Sequence, residues 1–112
     1  MLQDHKLPKS ISAKELNELL NTADKIQIVD VRENFEWDIC HIENALNIPM
    51  NLIVESEDKI SKDIITIVMC HHGARSMNVI HYLKSRGYKN LINLEGGIHA
   101  WATDVDKSMS TY

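Results

Sequence analysis

The segment from Ile64 to Met69 constrains the fold more than any other part of the chain. It reads Ile-Ile-Thr-Ile-Val-Met, with Thr66 as its one polar residue. β-Branched residues favour extended backbone, and a strand that is apolar on both sides must be covered on both faces. The segment is therefore predicted to be the central strand of a sheet. It is also far too short to cross a bilayer.

Helical patterns alternate with further strand patterns along the chain. Ser12 and Glu15 form a capping box at the start of a helix, and Gly87 stands where a helix ends in a left-handed residue. Alternation at this spacing predicts an α/β fold, with a mainly parallel central sheet flanked by helices on both faces. The other predicted elements are a helix over Ala13–Thr22, a strand over Ile26–Val31, a helical turn over Glu33–Asp38, a strand over Ala45–Ile48, a helix over Arg75–Arg86, a strand over Asn90–Leu94 and a short helix ending near Trp101.

The length of 112 residues suits one domain with one core and one site. We expect residues 1–112 to form a single domain whose core spans about residues 11–102. The tail, residues 103–112, is rich in Ser and Thr and is expected to be frayed.

The net charge of -4 argues against a nucleic-acid or anionic-membrane binder, because both partners require a basic face. No apolar signal-peptide core is found at the N-terminus, so we expect a protein that is not exported. Cys40 and Cys70 are expected to be free thiols in a reducing compartment. Together these features predict a cytoplasmic location.

Cys70 follows the predicted central strand directly and precedes a predicted helix. Ligands of open α/β sheets bind beyond the carboxyl ends of the strands, which is where this cysteine falls. The loop over residues 70–76 reads Cys-His-His-Gly-Ala-Arg-Ser, and it can curl so that its amides and the helix N-terminus point at the sulfur. Such amides lower the pKa of a thiol. A lone cysteine inside an element is more often inert, but Cys70 lies at a loop and is expected to be a nucleophile.

Other residues of this loop suit an anionic ligand. Gly73 allows a positive φ or a close approach to the ligand, and Arg75 brings forked donors that fit an oxyanion. A cation at a helix N-terminus opposes the helix dipole, so an anionic ligand would account for Arg75. His71 and His72 are expected to shape the rim of the pocket. Adjacent histidines point in different directions and no spaced Cys/His set accompanies them, so no metal site is predicted.

Two groups of motifs occur in order and at matching spacing. The first group is VDVRE over residues 29–33, EW at 36–37, HI at 41–42, Ala45 and NIP over 47–49. The second is CHHGARS over residues 70–76, Leu83, GY at 87–88, NLEGGI over 93–98 and Trp101. With these motifs the chain resembles single-domain rhodaneses, the thiosulfate sulfurtransferases, from about Ile11 to Trp101. It departs from them at Cys40, where the family usually has glycine.

The resemblance implies a rhodanese-like fold and an enzyme that transfers sulfane sulfur without metal or organic cofactor. Cys70 would accept sulfur from thiosulfate or a persulfide and would pass it to a thiol or to cyanide, with a protein persulfide as a further partner. The substrate would bind in the loop formed by His71, His72, Gly73, Ala74 and Arg75. Asp30, Arg32 and Ser76 would support the site, the first two through hydrogen bonds and a charge pair.

Three alternatives remain open at this point. A phosphatase or arsenate reductase would use a related loop, but the four residues between Cys70 and Arg75 are one fewer than those enzymes carry. A non-catalytic interaction or regulatory module commonly lacks the cysteine or the arginine, and this chain has both. A redox role for Cys40 with Cys70 requires their α-carbons to lie within about 7 Å.

Overall fold

The computed structural model describes residues 7–22 and 25–112. Within these residues, five strands form one sheet in the order β1-β5-β4-β2-β3, and every neighbouring pair is parallel. The strands are β1 (Ser10–Ile11), β2 (Ile26–Asp30), β3 (Leu46–Asn47), β4 (Ile65–Met69) and β5 (Leu91–Leu94). The α-helices are α1 (Ala13–Thr22), α2 (Asn34–Ile39), α3 (Ile53–Ser56), α4 (Ala74–Ser85) and α5 (Gly97–Asp104), and 3₁₀ turns flank α3 at Met50–Leu52 and Glu57–Lys59.

The predicted central strand is β4, which pairs with β2 on one side and β5 on the other. Asp30, the last residue of β2, lies opposite Met69, the last residue of β4. On the other side Val68 lies opposite Asn93 of β5. Because all three strands are parallel, their carboxyl ends meet at one edge of the sheet. Cys70 is the residue that follows β4 at this edge.

The two faces of the sheet support separate apolar clusters, which confirms the prediction of helices on both faces. Side chains alternate along a strand, so Ile67 and Met69 of β4 join one cluster while Val68 and Cys70 join the other. The first face packs against α1 and α5, which supply the buried residues Ala13, Leu16, Ile98 and Trp101. The second packs against α3 and α4, which supply Ile53, Val79, Ile80 and Leu83.

Local signals in the sequence set several helix ends. The amide of Glu15 donates to Ser12 Oγ and the amide of Ser12 donates to Glu15 Oε1, so the predicted capping box is present. Gly87, which follows the end of α4, has a φ of 94°. None of the helices in the described part of the chain is long and apolar enough to span a membrane.

The C-terminal tail differs from the expectation of a frayed segment. Helix α5 continues past Trp101 to Asp104. Val105 and Met109 pack against the apolar cluster on the α1 and α5 face, and the Tyr112 side chain hydrogen-bonds to residues near the Cys70 loop. A few apolar and aromatic side chains among the polar residues of the tail thus have partners that are distant in sequence.

Candidate active site

The thiol of Cys70 is buried at the carboxyl end of the central strand. The residue is 1% exposed. The amide of Gly73 donates to Cys70 Sγ at 3.0 Å, and Ser76 Oγ lies 3.5 Å from the same sulfur. The loop therefore curls around the sulfur, with a backbone donor and a hydroxyl turned toward it.

Gly73 makes this curl possible. Its φ is 121°, a conformation that residues with a side chain rarely adopt, and helix α4 begins at the next residue, the exposed Ala74. A Cβ on Gly73 would meet no closer atom than Asn93 Nδ2, at 3.6 Å. The backbone conformation, rather than a lack of space, is therefore the reason for glycine at this position.

Two opposing effects act on the pKa of the Cys70 thiol. Burial raises the pKa because it disfavours the thiolate. Hydrogen bonds from the Ser76 hydroxyl and from the amides of Ser76, Gly73 and His72 favour the thiolate and outweigh burial, so the pKa lies below its usual value. The loop thus favours a nucleophilic form of Cys70.

Ser76 links the loop to β5. Its hydroxyl lies 2.5 Å from Asn93 Oδ1 and 3.1 Å from the carbonyl oxygen of Gly73. Asn93 Nδ2 donates to that same carbonyl at 3.2 Å, which orients the amide with Oδ1 toward Ser76. A hydroxyl has one proton, so Cys70, Asn93 and Gly73 compete for it. Ser76 therefore connects the thiol to a buried polar group of the neighbouring strand.

Helix α5 closes the other side of the loop. The amide of Ile98 donates to the carbonyl of Cys70 at 2.9 Å, and the amide of His99 donates to that of His71 at 3.2 Å. Between loop and helix lies Gly97, with a φ of 60°. A Cβ there would collide with the carbonyl oxygens of both Cys70 and His71. The close approach of α5 to the loop consequently requires glycine.

Arg75 points toward α2 and forms a bidentate ion pair with Glu36. Its Nη1 and Nη2 donate to the two carboxylate oxygens at 2.7 and 2.8 Å. The Glu36 side chain is 7% exposed, and Arg75 lowers the pKa of its carboxyl to about 2. The arginine expected to meet an oxyanion is thus already paired with a carboxylate of the protein.

Asp30 and Arg32 form a second ion pair, which is fully buried. Arg32 Nη2 lies 2.8 Å from Asp30 Oδ2 and donates to the carbonyl of Cys40 at 2.7 Å, while Nη1 donates to Tyr112 Oη at 2.9 Å. Burial lowers the pKa of Arg32, but the hydrogen bonds with Asp30 and Tyr112 raise it above its usual value. Tyr112 Oη in turn donates to Glu36 Oε1 at 2.8 Å. One tyrosine hydroxyl therefore joins the two ion pairs.

The sequence-based view of the histidines is wrong in one respect. The rings of His71 and His72 do not diverge, because their centroids lie 4.0 Å apart. His99 on α5 approaches both of them, and one ring nitrogen from each of the three lies within 4.8 Å of the others. Adjacent side chains point to opposite sides in a strand, but this rule does not hold in a tight loop. The third histidine is distant in sequence, so nothing in the sequence indicated that it would join the other two. Burial is the largest effect on the pKa of His71 and lowers it.

Cys40 is a buried free thiol at the end of α2. It belongs to the apolar cluster on the α1 and α5 face, whereas Cys70 belongs to the cluster on the α3 and α4 face. This arrangement gives no support to a disulfide between the two.

Four residues around the loop were not among the candidates from the sequence. They are Glu36, Asn93, Gly97 and Tyr112. The motifs EW, at residues 36–37, and NLEGGI, over 93–98, contain the first three, so their place in the signatures was the available signal. Tyr112 lies in a polar tail, and nothing in the sequence around it indicates a contact with Arg32.

Comparison with known proteins agrees with the family resemblance that the sequence motifs indicate. A family model described as Rhodanese-like domain matches residues 12–104. The probable adenylyltransferase/sulfurtransferase MoeZ of Mycobacterium tuberculosis is 35% identical over 105 residues, which are 92% of this chain and 27% of that protein. The chain thus spans about a quarter of that relative.

Two proteins of similar size match most of their length. The thiosulfate sulfurtransferase GlpE of Coxiella burnetii is 37% identical over 93 residues, covering 83% of this chain and 86% of that protein. The crystal structure of a rhodanese-like domain protein from Staphylococcus aureus is 36% identical, with a TM-score of 0.81, and the match covers 94% of this chain and 99% of that one.

Proposed function

The chain belongs to the rhodanese-like domain family, and on that premise we propose that it is a sulfurtransferase that carries sulfane sulfur as a persulfide on Cys70. The observation that carries this proposal is the buried Cys70 sulfur with the Gly73 amide 3.0 Å away. Relatives named as sulfurtransferases support the same class of reaction. We take residues 1–112 to act as one domain in the cytoplasm.

In the first half-reaction the Cys70 thiolate attacks the outer sulfur of thiosulfate. A new S–S bond forms on Cys70, the bond between the two thiosulfate sulfurs breaks, and sulfite leaves with the electron pair. The product is a Cys70 persulfide anion. Hydrogen-bond donors of the loop then stabilise the negative charge on the terminal sulfur, as they stabilised the thiolate before.

In the second half-reaction a thiol or cyanide attacks the terminal sulfur. The acceptor gains the sulfur, the S–S bond breaks, and the electron pair returns to Cys70 as a thiolate. The cycle is a ping-pong reaction without net oxidation of the protein, and it requires no cofactor.

The loop residues divide the work in this proposal. The amides of His72, Gly73 and Ser76 hold the charged sulfur, and Ala74 leaves the start of α4 open to the donor. His71 and His72 form the rim that a donor passes. Arg75 attracts an anionic donor, although its two terminal nitrogens already bind Glu36. The Asp30–Arg32 pair joins the end of β2 to the carbonyl of Cys40 at the end of α2 and so supports the protein beside the loop.

A persulfide on a partner protein is an alternative donor or acceptor. The name of the mycobacterial relative joins an adenylyltransferase to a sulfurtransferase, so in that protein a second activity accompanies sulfur transfer. Such a partner would deliver its sulfur to the same Cys70 loop and would carry no sulfonate for Arg75 to attract.

Intact mass after incubation with thiosulfate tests the proposal. We expect a gain of one sulfur that reductant reverses, and its absence in Cys70→Ser, because oxygen cannot accept a sulfane sulfur. Cys40→Gly is the matched control, since it removes the other buried thiol and follows the family pattern. A mass gain that persists in Cys70→Ser, or that disappears only in Cys40→Gly, would contradict the assignment.

A further inference from the structure

We propose that His71, His72 and His99 form a binding site for a divalent transition metal ion that prefers imidazole ligands, with Zn²⁺ as the representative ion. One ring nitrogen from each histidine lies within 4.8 Å of one ring nitrogen from each of the other two. Imidazole nitrogen is a preferred ligand for zinc, copper and nickel, and three protein ligands with an open fourth position are a common zinc arrangement.

The backbone holds the three histidines together. The amide of His99 donates to the carbonyl of His71, so the loop and the first turn of α5 are joined next to the rings. Gly97 allows this contact, because any side chain there would collide with the loop. Backbone hydrogen bonds between the loop and α5 therefore bring the three histidines together.

The rings have room to adjust to an ion. Zinc binds each nitrogen at about 2.0–2.1 Å, so tetrahedral ligands lie about 3.4 Å apart. Because no two of the three nitrogens are more than 4.8 Å apart, their separations must shorten by at most about 1.4 Å when zinc binds. His72 and His99 are exposed and can rotate toward the ion, while the His71 ring stacks on Tyr112 with a centroid distance of 4.0 Å and an angle of 6°. The Tyr112 ring thus supports one ligand, and the other two have open space in which to rotate.

The position of this site gives it a consequence for sulfur transfer. His71 and His72 are the two residues that follow Cys70, so an ion bound there would restrain the loop and occupy the rim. We expect zinc to inhibit persulfide formation. This consequence rests on the proposed function, whereas zinc binding itself does not.

Calorimetric titration with ZnCl₂ at neutral pH tests the site directly. The protein is prepared without a polyhistidine tag. All titrations use the Cys70→Ser background, in which the thiol cannot compete as a ligand. We expect one zinc per chain, at least tenfold weaker binding after His99→Ala, and unchanged binding after His81→Ala, which removes an exposed histidine of α4 outside the cluster. Melting curves without metal check that each variant folds. Equal affinity in all three proteins, or no binding, would overturn the proposal.

The expected inhibition is tested by measuring persulfide formation at increasing zinc concentrations, in protein that retains Cys70. We expect His99→Ala to raise the zinc concentration needed for half inhibition at least tenfold, and His81→Ala to leave it unchanged. Equal inhibition of all variants would show that zinc acts on Cys70 and would overturn the regulatory consequence. Failure of the proposed function would instead appear as no persulfide without zinc, while calorimetry still reports the metal site.

Discussion

Both terminal nitrogens of Arg75 donate to the carboxylate of Glu36, which joins the start of α4 to α2 beside the Cys70 loop. The Glu36 carboxylate also accepts hydrogen bonds from the amide of Glu33 and the hydroxyl of Tyr112. Arg75 therefore has two possible tasks, attraction of an anionic donor and neutralisation of a buried carboxylate. The two tasks predict different behaviour of double variants.

Arg75→Ala should lower kcat/KM for thiosulfate about ten- to a hundredfold, the effect of losing one charge-assisted contact. If neutralisation is the main task, the loss comes from the unpaired Glu36 carboxylate, which repels anionic donors and the thiolate. Glu36→Gln combined with Arg75→Ala should then recover about tenfold of the activity. Steady-state kinetics of wild type, the two single variants and the double variant gives the full double-mutant cycle. A double variant as slow as Arg75→Ala would show that Arg75 contacts the donor itself.

Stability at low pH should depend on Glu36. Its pKa of about 2 lies below the ordinary value of 4.5, so the carboxylate stabilises the fold above pH 4.5 and this contribution is lost as the pH falls toward 2. A shift of this size corresponds to about 3 kcal/mol. Urea unfolding of wild type and Glu36→Gln should differ most near pH 7, and the difference should shrink below pH 4.5 and nearly vanish at pH 2. A constant difference across this range would contradict the prediction.

Alkylation of Cys70 should report a depressed pKa. Because its pKa is lowered, the thiolate persists to lower pH than in a model thiol, which titrates near 8.5. The rate of iodoacetamide reaction should be flat above the pKa and fall as the pH drops through it. Ser76→Ala should raise the apparent pKa, since it removes the hydroxyl beside the sulfur. Experiments in Cys40→Gly exclude reaction at the second thiol. A midpoint near 8.5 in Cys40→Gly with Ser76 intact would show that the loop donors do not act on the sulfur.

Gly97→Ala should destabilise the protein by about 2–4 kcal/mol, because a left-handed backbone and overpacking both oppose the side chain. Gly87→Ala is the matched control. Its φ of 94° imposes similar backbone strain, but its Cβ would meet only the flexible Lys62 amine at 3.6 Å. We expect the control to lose about 1 kcal/mol and to keep persulfide formation. Chemical denaturation and intact mass measure both effects, and equal losses in the two variants would show that contact with the loop is unimportant.

Much of the fold follows from local patterns in the sequence. The apolar run that contains β4 predicts a strand covered on both faces, and the alternation of side chains distributes it between two apolar clusters. Ser12 and Glu15 mark the start of α1, and Gly87 marks the end of α4. These signals act between residues that are close in sequence, where backbone geometry alone brings the groups together.

The position of Cys70 after the central strand could also be predicted in this way. For Gly73 the sequence predicts either a positive φ or a close approach to the ligand, and the structure has the positive φ. What the sequence alone determined is thus the layered sheet and the loop that holds the sulfur. Both depend on the periodicity of β4 and on the conformational freedom of one glycine.

Only the tertiary structure decided which side chains meet around that loop. Glu36 lies 39 residues from Arg75, and Tyr112 lies 80 residues from Arg32. His99 joins His71 and His72 because α5 folds back onto the loop through Gly97. Such contacts depend on where separate elements end in space, and a charged or aromatic side chain gives no local sign of its distant partner. The physical reason is that the parallel sheet gathers the ends of β2, β4 and β5 at one edge, whatever their separation in sequence.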